Sequence, residues 1–123
     1  MNKIALLLFI FTTIATVSCQ AQVTDADTLR TLYKCDSTLI VDVRTVKEYE
    51  EGHIERSVNI PLDIVADSAT YLSKQKNIIL VCKSGGRSLK AKKLLEENHA
   101  LSNLYNGGGW QSLDALLNKK EEE

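Results

Sequence analysis

The stretch Asn77-Ile78-Ile79-Leu80-Val81-Cys82-Lys83-Ser84-Gly85-Gly86-Arg87-Ser88 decides the fold. Residues 77–81 form the strongest strand signal in the chain, an apolar run with no polar alternation. Such a run suits a strand buried on both faces, as in a parallel sheet. It delivers Cys82 at its carboxyl end. Gly85 and Gly86 let the backbone turn sharply and bring several N–H groups toward one point. A helical pattern then runs from 87 to 97, with Ala91, Leu94 and Leu95 as its apolar stripe. Its first turn adds the positive end of a helix dipole. Lys83, Arg87 and Lys90 add full positive charges nearby. Helix N-termini and cationic neighbours lower a cysteine pKa from about 8.5 to about 3.5–7.5. The thiolate is the nucleophile, so the segment reads as an activated-cysteine loop. A cysteine serving only as a small core residue needs neither the glycine pair nor the arginine five positions on.

Working outward, Thr24, Asp25 and Asp27 offer helix-capping chemistry ahead of Leu29, Leu32 and Tyr33 at helical spacing. Residues 38–43 form a second short buried strand, and 46–51 a charged helix ending at Gly52. A brief extended piece, 58–60, is stopped by Pro61, and 63–72 carries a helical pattern. Residues 101–105 read as a final strand, Gly107-Gly108-Gly109 as a tight turn, and Trp110, Leu113, Leu116 and Leu117 as the apolar side of a last helix. Alternating strands and helices predict an α/β domain with a mainly parallel central sheet, covered by helices on both faces. Ligands in such folds sit beyond the carboxyl ends of strands, where Cys82 falls.

The chain has 123 residues, the size of one small domain, and a formal net charge of −1. That balance provides no field toward nucleic acid, so any preference for anions must be local. The N-terminus differs in kind. Lys3 precedes an apolar run from 4 to 17. As a helix it would rise about 21 Å, short of a hydrocarbon core of about 30 Å. A positive start, a short apolar stretch and small residues after it describe a secretory signal over 1–18. Val17-Ser18-Cys19 is similar to a bacterial lipobox, with Thr16 where that pattern usually has Leu, and would make Cys19 a lipidated first residue. Ordinary cleavage after Ala21 is the alternative. Either predicts an exported protein, periplasmic or lipid-anchored at the cell envelope, with membrane contact only through the anchor. Residues 19–23 then form a short linker, 24–118 the domain, and 119–123 a charged tail. Three cysteines make no disulfide framework, and Cys35 reads as a small, partly buried residue.

Cys82-Lys83-Ser84-Gly85-Gly86-Arg87-Ser88 is similar to the Cys-x-x-Gly-x-Arg-Ser loop of rhodanese domains. Asp42-Val43-Arg44, Glu48-Tyr49, Gly52-His53-Ile54, Asn59-Ile60-Pro61 and Leu104-Tyr105-Asn106-Gly107-Gly108-Gly109-Trp110 resemble further blocks of that family, in the family's order. The resemblance spans about 24–117. It implies the three-layer rhodanese-like fold and sulfurtransferase chemistry through a Cys82 persulfide, with no cofactor and no metal. The donor would be a small anionic sulfur compound of the thiosulfate or polysulfide class, and the acceptor a thiol, cyanide or a protein. Lys83, Ser84, Gly85, Gly86 and Arg87 would form the cradle for the persulfide, with Arg87 and Lys83 orienting the donor. Asp42, Arg44 and His53 would be structural supports. A carrier that serves one protein partner, with little small-molecule turnover, is the alternative. Related phosphatases have five residues between Cys and Arg, whereas four separate Cys82 from Arg87.

Overall fold

A computed structural model describes residues 22–120. The signal over 1–18 and Cys19 lie outside the described residues. The elements are α1 (Ala26–Tyr33), β1 (Thr38–Asp42), α2 (Val46–Glu51), β2 (Ser57–Asn59), 3-10 turns at Leu62–Ile64 and Ala66–Ser68, α3 (Ala69–Ser73), β3 (Asn77–Cys82), α4 (Gly86–His99), β4 (Leu104–Gly109) and α5 (Trp110–Asn118). The strands form one sheet in the order β2-β1-β3-β4, with every pairing parallel. This is the rhodanese-like α/β architecture expected from the sequence.

The central strands explain why their residues show no polar alternation. Ile78, Leu80 and Cys82 join Val41, Val43, Ala91 and Leu95 in the core on one side. Ile79 and Val81 join Leu29, Ile40, Ile54 and Leu113 on the other. Successive side chains point to opposite faces, and here both faces are covered. Each fully buried Ile, Leu or Val adds about 1.5–3 kcal/mol of transfer free energy. Cys82 is thus built into the α4 side of the core, at the last position of β3.

Two local expectations are corrected. The helical pattern of 63–72 is not one helix. Leu62 N–H is tied to the Val43 carbonyl at 3.0 Å, which fixes where the segment starts. The chain then descends in 3-10 turns, and Ser68 (φ −91°, ψ 4°) leaves the α region before α3 begins. Val65 and Leu72 still bury their side chains, so the apolar period survives without the regular helix. The three glycines at 107–109 are not a turn. They are the end of β4, which begins at Leu104, three residues later than the strand pattern suggested. A Cβ on Gly107 would lie 2.7 Å from Ile79 Cγ2 and 2.9 Å from Val81 Cγ1. A Cβ on Gly109 would lie 2.7 Å from the Lys83 carbonyl oxygen. Gly108 (φ 78°) sits where the β3–β4 register shifts after Leu80. Gly107 and Gly109 are there because β4 passes too close to β3 and to the Cys82 loop for side chains, and Gly108 because its φ is positive and Val23 packs on it.

Candidate active site

The Cys82 loop is short because Gly85 turns it. Gly85 has φ 98°, a left-handed conformation that costs an L side chain energy, and it serves as the N-cap of α4. Its N–H points back at the cysteine, 3.0 Å from Sγ. Ser88, in the first turn of α4 and fully buried, places Oγ 3.4 Å from the same sulfur. Burial opposes the charged form of Cys82 and is the largest single influence. The Ser88 hydroxyl and the N–H groups of Ser88, Ser84 and Gly85 together outweigh it and hold the thiol below its ordinary value. The sulfur is only 1% exposed with its residue.

The main support for the thiolate comes from main-chain N–H groups and a serine, and the charges of Arg87 and Cys82 attract each other. Lys83, Ser84 and Gly86 are exposed. Arg87 is paired in bidentate fashion with Glu48, Nη1 to Oε1 at 2.7 Å and Nη2 to Oε2 at 2.9 Å. That guanidinium holds the Glu48 carboxyl down at about 2, and Glu48 in turn raises Arg87 above its ordinary value. Glu48 also closes a capping box with Thr45 at the start of α2. Arg87 lines a groove of about 510 Å³ with Val43, Leu62, Lys90 and Leu94, among others. Glu48 lines a cleft of about 290 Å³ with Arg44, Lys83 and Trp110, among others. Their ion pair thus joins a residue of the groove to a residue of the cleft.

Asp42 and Arg44 stand beside the site and brace it. Both are buried, and Arg44 Nη2 lies 2.7 Å from Asp42 Oδ2. Nη2 also donates to the Gly52 carbonyl at 2.7 Å, and the guanidinium lies 4.6 Å from the centre of the half-buried Trp110 ring. One side chain thus ties β1, the end of α2 and the start of α5 together. His53 is exposed, donates from Nδ1 to the Tyr49 carbonyl at 2.7 Å and stacks on the Tyr49 ring at 3.8 Å. This hydrogen bond and ring contact place it with α2 rather than with Cys82. Cys35 and Cys82 are both free. Cys35 precedes β1 while Cys82 ends the parallel strand β3, so a strand's length, about 17 Å, separates them. Among the described residues no group of three or more His, Cys, Asp or Glu side chains is placed to hold a metal.

Sequence reasoning did not assign Ser88, Asn106 or Glu48 to the site. Ser88 donates to Asn106 Oδ1 at 2.6 Å and lies 3.0 Å from the Gly85 carbonyl. Asn106 is 1% exposed, a fully buried amide in a strand of glycines. A polar residue at a buried strand position was the available signal, since buried polar groups need partners.

Fold and site together define an α/β domain with a buried cysteine, its thiol held below its ordinary value, at the carboxyl end of a central parallel strand. The rhodanese-like domain model matches residues 25–115, and the chain belongs to that family. Over 62 residues it is 39% identical to YrkF of Bacillus subtilis (strain 168), a proposed sulfur carrier protein, covering 50% of this chain and 34% of that one. Over 90 residues it is 31% identical to the tRNA uridine(34) hydroxylase of Yersinia pestis (strain Pestoides F), covering 68% of this chain and 25% of the other. The chain thus spans between 25% and 34% of the length of these curated relatives. The crystal structure of a rhodanese-like domain protein from Staphylococcus aureus aligns with a TM-score of 0.59 and 30% identity, over 72% of this chain and 86% of that one.

Proposed function

We propose that this domain transfers sulfane sulfur through a persulfide on Cys82. The observation that carries the proposal is the Gly85 N–H at 3.0 Å from Sγ, in a loop whose other N–H groups face the same point. In the first half-reaction the Cys82 thiolate attacks the outer sulfur of a donor. The new S–S bond forms as the donor's own bond to that sulfur breaks, and its electron pair leaves with the anionic remainder, sulfite in the case of thiosulfate. In the second, an acceptor thiolate or cyanide attacks the terminal sulfur, and Cys82 departs as thiolate. The N–H cradle supports negative sulfur in both halves without reorganising. Neither half changes the count of electrons or requires a cofactor.

A second reading is a sulfur carrier dedicated to a protein partner. The Arg87–Glu48 pair favours it, because a neutralised arginine gives a small anionic donor less attraction than a free one. The similarity to a proposed sulfur carrier points the same way. Intact mass after brief exposure to thiosulfate or polysulfide, beside Cys82→Ser, tests the proposal. A gain of one sulfur atom in the parent alone supports it; no gain after prior reduction refutes it. Rapid thiosulfate:cyanide turnover would exclude the carrier reading. Export through the N-terminal signal belongs to the same proposal. It is tested by sequencing the N-terminus of the chain recovered from cell envelopes, where an unprocessed start refutes it.

A further inference from the structure

Asn106 joins the edge of the sheet to the Cys82 loop. Its Oδ1 accepts from the Ser88 hydroxyl at 2.6 Å and the Gly108 N–H at 3.0 Å. Its Nδ2 donates to the Gly85 carbonyl at 3.3 Å and the Gln22 carbonyl at 3.1 Å. Its main-chain carbonyl accepts from the Thr24 N–H at 2.9 Å. Two of these bonds reach the segment ahead of α1. Between them, Val23 packs on Gly108, where an added Cβ would meet its side chain at 3.0 Å. Residues 22–24 precede the stretch matched by the family model, 25–115, and run along β4, the outer strand of the sheet.

An asparagine amide can rotate and exchange its donor and acceptor ends. Here that exchange would turn an amide oxygen toward the Gly85 and Gln22 carbonyls and an amide N–H toward the Gly108 N–H. The Gln22 and Gly85 carbonyls can only accept and the Gly108 N–H can only donate, so together they fix Nδ2 toward the two carbonyls and Oδ1 toward Ser88 and Gly108. Ser88 is the side chain in contact with the Cys82 sulfur. We infer that residues 22–24 are a positioning strap, which holds the Asn106 amide in place and thereby holds Gly85, whose N–H donates to Cys82 Sγ, in the arrangement that supports Cys82. The inference rests on Cys82 being the reactive group of the proposed sulfur transfer.

The test uses the full chain. Thr24→Pro removes the N–H that Asn106 accepts, and Val23→Gly loosens the strap while leaving both bonds available. Cys82 alkylation by iodoacetamide is followed by peptide mass across pH, beside a thermal melt. The strap predicts that Thr24→Pro slows alkylation about threefold at a pH below the midpoint, the partial loss of one hydrogen bond to a charged group. The midpoint moves upward and the high-pH plateau stays. Asn106→Ala should produce the same displacement, and adding Thr24→Pro to it should change nothing further, because the two act in one path. An unchanged pH profile in Thr24→Pro, or additive effects in the double variant, overturns the inference. Should Thr24→Pro not fold, Val23→Gly decides by the same profile, displaced in the same direction or not. Displacement in these variants with no persulfide in the parent would refute sulfur transfer and leave the strap standing.

Discussion

Ser88→Ala separates support of the thiolate from support of the fold. Ser88 Oγ carries one proton and faces three acceptors: Asn106 Oδ1 at 2.6 Å, the Gly85 carbonyl at 3.0 Å and Cys82 Sγ at 3.4 Å. Removing it orphans neither oxygen. Asn106 Oδ1 keeps the Gly108 N–H, and the Gly85 carbonyl keeps the Leu89 N–H at 3.1 Å. The cost in stability should therefore be about 1 kcal/mol, the net worth of an ordinary hydrogen bond. The thiolate has more to lose. Once Cys82 is charged, the single hydroxyl proton turns to it from Asn106 Oδ1, and a hydrogen bond to a charged group contributes about 1.5 kcal/mol at the low end, about tenfold in the thiolate-to-thiol ratio. Alkylation of Cys82 below its midpoint should slow by about that factor, with an unchanged plateau at high pH. The folded thiol titrates below its ordinary value of 9.0. Its charged form thus contributes stability that is present above the unfolded pKa and lost as pH falls through the folded value. The stability gap between parent and Ser88→Ala should widen as pH rises. An identical alkylation profile, or a loss of several kcal/mol at neutral pH, would refute the reasoning.

Gly109→Ala puts a Cβ 2.7 Å from the Lys83 carbonyl, so it should displace the loop and lower persulfide yield several-fold while urea unfolding shifts by about 1–3 kcal/mol. Arg44→Ala leaves the fully buried Asp42 without its counter-charge, and urea titration should record a loss of about 3–5 kcal/mol. Glu48, held at about 2 against an ordinary 4.5, contributes stability above pH 4.5 that is lost as pH falls toward 2. With roughly a third of each partner exposed, solvent screening limits this to about 1 kcal/mol, and Glu48→Gln should flatten the acid limb of the stability curve by that amount.

The central strand and the cysteine at its end were legible because burial on both faces removes polar alternation, and 77–81 has none. The glycine triplet misled because a run of glycines usually marks a turn. Here each position is defined by a neighbour, Ile79, Val23 or Lys83, that lies distant in sequence. The pairing of Arg87 was not legible for the same reason. Its partner lies 39 positions away, and pairing over that distance is set by how α2 and α4 meet. Ser88 and Asn106 carried a weak local signal, each polar within an apolar pattern, and gained meaning only when strand order placed them together.

The depth of Cys82 has a chemical consequence of its own. Thiolates open to solvent are those that peroxides carry through sulfenic to sulfinic acid, a state with few routes back. A sulfur with 1% of its residue exposed keeps its nucleophilicity for reagents that can present an atom at the loop's opening. In the proposed sulfur transfer, the same packing that forms the core would shield the sulfur from irreversible oxidation.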